Sequence, residues 1–486
     1  MKKLFLAVAP ILLVLSSISM AQTVTSLVNQ APDDALISFL LTDGTVMVQG
    51  SNESDWWKLT PDNFGSYVNG TWSQVASLPS GYVPYAFASA VLADGRLLIE
   101  GGEYNEGQFA FTDMGAIYDP KTNVWTPVAP PSGWGFIGDS PSAVLPNGKF
   151  LLGRKFDTRM AELDPATLQW TAVASTGKSD FNAEEGWTLL PDGSIVTVDV
   201  LNNPNSERYF PSSGSWSSEG STIVNLQGPP QVGCIQYGNN QLYCPPGEVG
   251  PAVLRPDGTV FATGATHLNA SEGHTAVFHP NTNTWTAGPD FQTGDDAGDS
   301  FAVLLPNGKV LVLGNSGTLY EFDGTNFIPG PSGPGCLIVL PTGEVLIGGS
   351  AVYTSSGTYS AAWAPHITSY PRAVGRRATY QIFGQQFNGL SQAAGFGDES
   401  ETATNYPLVR ITNNATGHVV YAKTHDHSTM GVATGTATVS TKFDIPANIE
   451  VGVSTLVVVA NGIPSTPVTI FVAAFPPPPT PYITVK

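Results

Sequence analysis

Positive charge is scarce in this sequence. Its 486 residues include 20 lysines and arginines against 39 aspartates and glutamates, and the formal net charge is −19. Nucleic acids and anionic lipid surfaces attract proteins through basic side chains, whereas an acidic surface repels their phosphate groups. The sequence therefore argues against a nucleic acid or an anionic lipid surface as a partner.

Long apolar runs are lacking beyond the first 21 residues. Residues 1–21 combine Lys2 and Lys3 with an apolar stretch and end on the small residue Ala21. This pattern predicts a signal peptide, and the stretch is too short to span a bilayer. No cysteine lies near the predicted cleavage site, which argues against a lipoprotein anchor. We expect a protein secreted to the extracellular space or the periplasm, with no membrane-spanning segment.

Cysteine occurs only three times in the chain. Cys234 and Cys244 flank a short segment with a Gly-Asn-Asn turn, which is typical of a β-hairpin. In an oxidising compartment this arrangement predicts a disulfide across the hairpin. Cys336 has no partner left and precedes an apolar strand, so we expect it to be a small buried residue and not a nucleophile.

Helical periodicity is absent, and a repeat of short strands takes its place. Seven copies of an apolar run, a tight turn and a second apolar run occur between residues 35 and 365. The turns are Asp43-Gly44, Asp94-Gly95, Asn147-Gly148, Asp192-Gly193, Asp257-Gly258, Asn307-Gly308 and Thr342-Gly343. Asx-Gly pairs favour two-residue hairpin turns, and a repeat of roughly 40–50 residues with several strands indicates a β-propeller.

Each copy continues into a third strand, and six copies have a fourth. The fourth strands carry an aromatic marker, at Trp72, Trp125, Trp170, Trp216, Trp285 and Phe327. The seventh copy has a third strand ending near Trp363 and no fourth strand after it. We expect residues 23–31 to pair beside that strand and to close the ring, which removes an exposed sheet edge. The sequence thus predicts seven blades over residues 22–365.

The repeat stops after Pro365, and a different strand pattern follows. Residues 366–475 contain short apolar strands separated by turns, which is typical of an immunoglobulin-like β-sandwich. Residues 476–486 form a proline-rich tail that we expect to be extended, outside any sheet interior. The predicted fold is all-β, a seven-bladed propeller followed by this sandwich.

These features together resemble a known family. The kelch pattern is plain in the second copy, where Gly101-Gly102 is followed by Tyr118 and Trp125. A kelch propeller joined to a C-terminal early-set immunoglobulin-like domain is similar to the galactose oxidase and glyoxal oxidase architecture. The stretch from Gly452 to Ser465 also looks like the end of those oxidases. The resemblance covers nearly all of the chain after residue 21 and implies the fold, but not the activity.

The copper–tyrosyl radical site of that family is largely missing from the matching positions. A Tyr-His pair is matched by Gly333 and Pro334, and residues 31–35 lack the cysteine that is cross-linked to the radical tyrosine. That tyrosine is matched by Ala86, with Tyr85 one residue out of register and expected on the opposite strand face. Only His425 or His427 matches a family ligand. We therefore expect no copper-radical oxidation.

Acidic residues precede the first strand of four copies, at Asp139, Glu184, Glu248 and Asp299. In the family these positions open beside the axial hole, and loops returning to the same face would add Tyr104, Arg154, Lys155, Asp199 and His267. The i, i+2 spacing of His425 and His427 aims both imidazoles one way in an extended segment. Converging carboxylates and imidazoles can hold a divalent cation. The alternative is that so acidic a chain simply has many solvated carboxylates.

Two functional classes follow from these observations. In the first, the chain is a secreted binding protein that recognises carbohydrate or an extracellular, cell-surface protein through the acidic axial face. In the second, it is an enzyme that uses the carboxylates and histidines, with or without a metal, for acid–base chemistry such as glycan hydrolysis. The sequence favours the binding protein, because paired-carboxylate geometry cannot be obtained from it.

Overall fold

A computed structural model describes residues 22–229, 234–237, 241–244, 247–267, 270–396, 401–478 and 482–485. The predicted signal peptide lies outside these residues. Within them the chain is all-β, as predicted, and its helical content is the 3-10 turn Ala361–Trp363. Among the described residues we find no helix with the length and hydrophobicity needed to cross a membrane.

Seven antiparallel sheets, here numbered 1 to 7, follow one another along the chain; six have four strands, and sheet 6 has a fifth from a later segment. Sheets 1 and 2 are Ala35–Leu40, Val46–Gly50, Trp56–Thr60 and Thr71–Gln74, then Ala88–Val91, Leu97–Glu100, Gly115–Asp119 and Val124–Val128. Sheets 3 and 4 are Ser142–Val144, Phe150–Gly153, Met160–Asp164 and Gln169–Val173, then Thr188–Leu189, Ile195–Val198, Asn205–Phe210 and Ser215–Ser221. Sheets 5 and 6 are Val249–Leu254, Val260–Gly264, Thr275–His279 and Thr284–Ala287, then Ala302–Leu304, Val310–Leu313, Thr318–Phe322 and Phe327–Ser332.

Sheet 7 combines the two ends of the repeat region. Its strands are Leu337–Val339, Val345–Ile347, Ala351–Thr354 and, from the N-terminal side, Thr23–Ser26. Thr23 pairs with Thr354 and Ser26 with Ala351 in an antiparallel register. The N-terminal segment thus supplies the outer strand, but its partner is not the strand expected to end at Trp363. Trp363 lies instead in the 3-10 turn, with its ring against the Gly308 turn of sheet 6.

The Asx-Gly turns share one geometry that differs from the two-residue turn expected. In sheet 1, Gly44 N donates to Leu41 O and Leu41 N donates to Thr45 O, while Asp43 Oδ1 accepts from Thr45 N. Gly44 has φ +76°, and Asp43 is not in the left-handed region. This is a type I turn followed by a glycine bulge, which also joins twisted antiparallel strands.

Fourth-strand tryptophans fasten neighbouring sheets to one another. The indole N–H of Trp72 donates to Asn29 O, that of Trp125 to Ala76 O and that of Trp170 to Ala129 O. Each acceptor lies just after the outer strand of the preceding sheet. At the opposite edge of each sheet from the fourth strand, the first strands of neighbouring sheets contact each other. These contacts join sheets 4 and 5, 5 and 6, 6 and 7, and 7 and 1. The first strands therefore form the inner wall of the ring.

Residues after the ring form two further sheets around a shared core. The first contains Thr424–His425, Val439–Asp444, Thr379–Gln385, His366–Pro371 and, at its edge, Tyr482–Thr484. The second contains Ala373–Gly375, Val468–Ala473, Gly452–Ala460, Leu408–Asn413 and Val419–Ala422, with Ile463–Pro464 pairing Gly452–Ala460. Ile382, Phe443, Val409 and Val458, from both sheets, are fully buried in one cluster. The tail, expected outside any sheet interior, adds an edge strand.

Smaller elements complete the described structure. Pro84–Tyr85, Tyr104–Asn105 and Gln108–Phe109 form a three-stranded sheet beside sheet 2. Ile235–Tyr237 and Gln241–Tyr243 form the predicted hairpin, and the Cys234–Cys244 disulfide joins its ends. Cys336 is a buried free thiol, also as predicted.

The segment between Gln385 and Leu408 leaves the two-sheet region and enters the ring. Its short strand Ala394–Gly395 pairs with Ala302–Leu304, the first strand of sheet 6. Gln392 Oε1 accepts from Leu189 N of sheet 4, and Glu401 O accepts from Ser89 Oγ of sheet 2. Because it contacts the first strands of three sheets, the described part of this axial segment (residues 386–396 and 401–407) lies at the centre of the ring.

Glu100, at the end of the second strand of sheet 2, makes stability depend on pH. It is fully buried, neither carboxylate oxygen has a hydrogen-bond partner among the described residues, and burial raises its pKa well above the usual 4.5. The folded state therefore keeps a proton that the unfolded chain releases, so stability falls as pH rises above about 4.5.

Glu100→Gln is expected to raise the free energy of unfolding at pH 8 by about 1–3 kcal/mol and to have little effect below pH 4.5. Urea unfolding across this range, with Glu162→Gln as the control on sheet 3, tests the prediction. An unchanged difference between variant and wild type at all pH values would contradict it.

Candidate functional site

A cavity of about 350 Å³ opens at the centre of the ring, at the end where the first strand of each sheet begins. It contains all four carboxylates predicted at the axis, which precede the first strands of sheets 3 to 6. The lining residues are Leu36, Ile37, Gln49, Tyr85, Ala86, Phe87, Glu103, Tyr104, Asp139, Glu184, Glu248, Asp299, Phe301 and Phe396. The equivalent positions of successive repeats thus converge, as the repeat implied.

Backbone conformation directs several of these side chains. Glu184 and Asp299 have φ of +55° and +49°, and Ala86, which leads into sheet 2, has φ +53°. Non-glycine residues seldom occupy this left-handed region, and such strain is concentrated at functional sites. Three copies therefore use the same unfavourable conformation at the mouth of the first strand, where an ordinary extended residue would direct its side chain elsewhere.

Lys155 connects two of the carboxylates. Its Nζ donates to Asp139 Oδ2 and, at 2.7 Å, to Glu184 Oε1, and its side chain is only 1% exposed. The ammonium also lies 5.7 Å from the ring centre of Phe111. Charge-assisted hydrogen bonds between buried groups fix their geometry. This side of the cavity is therefore held rigid by an Asp–Lys–Glu triplet.

Aromatic rings form the adjoining rim. Tyr85 and Tyr104 have ring centres 6.1 Å apart, and Phe109 meets Tyr104 edge-on at 5.8 Å. Partial burial and then the charge of Glu103 raise the pKa of Tyr104, and Asp139 adds to the effect. The tyrosine therefore stays a neutral hydroxyl in a negative field. Tyr85, expected on the opposite strand face, in fact lines the cavity, because the left-handed turn at Ala86 reorients the strand.

Arg154 and His267 do not line the cavity, in contrast to the sequence-based expectation. The Arg154 guanidinium pairs with Asp157 at 2.5 Å and lies 3.7 Å over the Phe136 ring. His267 follows Thr266, which lines a separate, more open recess of about 400 Å³ that shares Glu248 and Asp299 with the cavity. Both residues belong to loops between the second and third strands, which return to the face of the ring that holds the cavity. Their side chains nevertheless do not reach the axis.

His425 and His427 lie away from the axial carboxylates, so the structure does not bring together the imidazoles and carboxylates that were expected to converge on a cation. His425 contacts Asp426 and Asp444, at 3.3 and 3.2 Å, and His427 Nδ1 lies 2.9 Å from Thr441 Oγ1. Burial lowers the pKa of His427 to about 3. The His427 backbone N–H donates to Ala93 O, at the hairpin turn of sheet 2. The pair therefore sits at the turn end of the ring, opposite the mouths of the first strands.

The lining does not fit a copper–tyrosyl group. Among the residues that the structure describes, the cavity wall includes two tyrosines and several carboxylates but neither histidine nor cysteine. Cys336 is buried with its Sγ towards Ala35 O at 3.8 Å, and burial raises its pKa to about 11. A cross-linked tyrosine and imidazole ligands therefore have no counterpart in this wall.

Phe396 is one of the lining residues that the sequence did not suggest. It belongs to the axial segment, which extends from the C-terminal region to the centre of the propeller-like ring of sheets. Its aromatic side chain packs on Phe301, with the two ring centroids 4.8 Å apart. One feature of the sequence could have indicated this segment. More than 20 residues without a strand pattern separate two strands of a compact domain, and long loops of this kind are commonly functional.

Comparisons with known proteins identify similar folds only. No protein-family model matches the chain, and no curated protein matches it. A fungal alcohol oxidase of the AA5 family, solved with copper, is 14% identical over 94% of this chain and 100% of its own, with a TM-score of 0.49. A catalytically inactive virginiamycin B lyase from Staphylococcus aureus, solved with quinupristin, is 9% identical over 68% of this chain and 97% of its own, with a TM-score of 0.46.

A third similar structure is the extracellular domain of a putative one-component system from B. thetaiotaomicron. It is 11% identical over 94% of this chain and 59% of its own, with a TM-score of 0.46. At these levels of identity and superposition, no activity, ligand or cofactor transfers from these three proteins to this chain.

Proposed function

We propose that the chain is a secreted kelch-type seven-bladed propeller with an immunoglobulin-like domain, and that it binds carbohydrate in the axial cavity. The observation that supports this most is the convergence of Asp139, Glu184, Glu248 and Asp299 with the rings of Tyr85 and Tyr104 around about 350 Å³. Carboxylates accept hydrogen bonds from sugar hydroxyls, and tyrosine rings stack on the apolar faces of sugars.

The shape and charge of the cavity narrow the ligand class. A concave site with a few convergent polar groups suits a small molecule or the end of a chain better than the broad face of a protein. Its carboxylates repel anionic ligands such as phosphorylated or sulfated glycans. We therefore assign neutral glycans, or glycans with amino sugars, as the ligand class.

Binding to neutral and amino-sugar oligosaccharides, measured by calorimetry, tests this function. For a glycan that binds the wild type, Tyr104→Ala and Asp299→Asn are each expected to weaken binding about tenfold. Each substitution removes about 1.4 kcal/mol of stacking or hydrogen bonding. Glu344→Gln, on the hairpin turn of sheet 7, is the matched control and should leave affinity unchanged. Affinity for no member of the panel, or equal affinity in all variants, would contradict the proposal.

The enzymatic alternative is resolved by the same samples. Chromatography of each glycan after prolonged incubation should show no shortened product. Cleavage that Glu248→Gln abolishes would replace the binding function with carboxylate-based hydrolysis, and peroxide release dependent on added copper would overturn both.

A further inference from the structure

A second group of carboxylates lies outside the axial cavity, in the loops that flank the first two strands of sheet 4. Asp180, Glu185 and Asp199 each offer an oxygen, and these oxygens lie within 4.8 Å of one another. All three residues are at most 1% exposed. Asp180 and Glu185 belong to the loop that leads into the first strand, and Asp199 directly follows the second strand. The sequence placed Asp199 near the axis, but the structure places it in this cluster.

The cluster carries more negative than positive charge. Lys178 Nζ donates to Glu185 Oε1 at 2.7 Å and to Glu207 Oε2 at 2.8 Å, and the lysine is 0% exposed. Asp180 Oδ2 accepts from the backbone N–H groups of Val200 and Leu201. One ammonium thus faces four buried carboxylates, and removing so many charges from water is strongly unfavourable without further neutralisation.

Asp199 provides an independent sign of a missing partner. Its side chain is buried, at 1% exposure, yet Oδ1 has no hydrogen-bond partner in the described structure. A buried acceptor of this kind ordinarily has a donor or a cation facing it.

We propose that Asp180, Glu185 and Asp199 bind a calcium ion. Every ligand is a carboxylate oxygen, the donor type preferred by hard divalent cations. Calcium takes oxygens at about 2.3–2.6 Å, so ligands on opposite sides can lie about 5 Å apart, whereas magnesium at about 2.1 Å restricts them to about 4 Å. The three oxygens all lie within 4.8 Å of one another, a range of separations that calcium can span.

The site has a built-in spectroscopic probe. Trp187 Nε1 lies 3.4 Å from Glu185 Oε2, so its indole borders the ligand cluster. A terbium ion bound in place of calcium would accept excitation energy from this ring and emit. This inference does not depend on the proposed glycan function, since the cluster and the cavity have no lining residue in common.

Metal content and melting of the full mature chain test the proposal. After treatment with a calcium chelator and desalting, 1 mM calcium is expected to raise the melting temperature by about 5 °C or more, as mass action requires for an ion that binds only the folded state, and magnesium by less than half as much. Elemental analysis should show one calcium per chain, and terbium emission should saturate at one equivalent and be displaced by calcium.

Asp199→Asn gives the discriminating result. This variant should lose the calcium shift and the terbium emission, yet melt at or above the temperature of the wild type in chelator, because an unpartnered buried carboxyl group has been removed. Glu219→Gln, another buried acid of the same sheet, should retain the full calcium response. If Asp199→Asn fails to fold, Asp180→Asn replaces it in the same comparison. No calcium shift in the wild type, or a full shift in both cluster variants, would overturn the site.

Discussion

Replacing Lys178 with methionine is expected to lower the free energy of unfolding by about 3–5 kcal/mol at pH 7. The lysine is completely buried between Glu185 and Glu207, and its ammonium lies 4.5 Å from the Trp216 ring. Methionine fills a similar volume but leaves both carboxylates without their cation. Urea unfolding in the presence of a calcium chelator measures the loss, since bound calcium would offset part of it.

Lys149→Met serves as the matched control for this substitution. Lys149 pairs with Glu162 at 3.0 Å, but its side chain is 40% exposed, so its loss should lower stability by less than about 1 kcal/mol. Adding Glu207→Gln to Lys178→Met should restore about 1–2 kcal/mol, because it removes one of the orphaned charges. Equal losses of stability for Lys178→Met and Lys149→Met would show that the buried ion pairs of Lys178 with Glu185 and Glu207 do not stabilise the fold.

Removing residues 22–28 is expected to have the second large effect. Four register pairs join Thr23–Ser26 to Ala351–Thr354, worth about 4 kcal/mol at roughly 1 kcal/mol per hydrogen bond. Leu27 is 3% exposed, and its burial adds about 2 kcal/mol. The truncated chain would also expose the edge of sheet 7, which promotes association between copies. Melting and light scattering of the shortened and full mature chains measure both consequences.

A synthetic peptide with the sequence of residues 22–28 provides the control. Added in excess, it should dock beside Ala351–Thr354 as a strand and recover part of the lost melting temperature. A peptide with Thr25 replaced by proline should not, because proline cannot donate in the ladder. A truncated chain that melts like the full one, without peptide, would show that the N-terminal strand does not hold the ring closed.

The repeat and the four axial carboxylates could be predicted because they depend on local sequence. Asp43-Gly44 and its equivalents fix a turn through one positive φ and one side-chain hydrogen bond, so the strands on either side follow directly. Once the copies are aligned, Asp139 and Asp299 occupy equivalent positions, and a closed ring brings equivalent positions together.

Contacts between distant parts of the chain could not be predicted in this way. Phe396 reaches the cavity because the axial segment pairs with sheet 6, a contact that no local pattern encodes. Tyr85 was assigned to the wrong face since strand alternation fails at the left-handed Ala86. The partners of His425 and His427 depend on how the C-terminal sheets dock on the hairpin turn at Ala93, which spacing along the chain does not specify.

The way sheet 7 is assembled determines the order of events during folding. Its outer strand, Thr23–Ser26, is synthesised early, yet its partner Ala351–Thr354 follows more than 300 residues later. Pairings this distant in sequence form slowly, and an unpaired strand edge is exposed until they do. The axial segment emerges later still and must find a place among first strands that already surround the axis. Completion of the ring and of its cavity therefore belongs to the final stage of folding, after the C-terminal region has been synthesised.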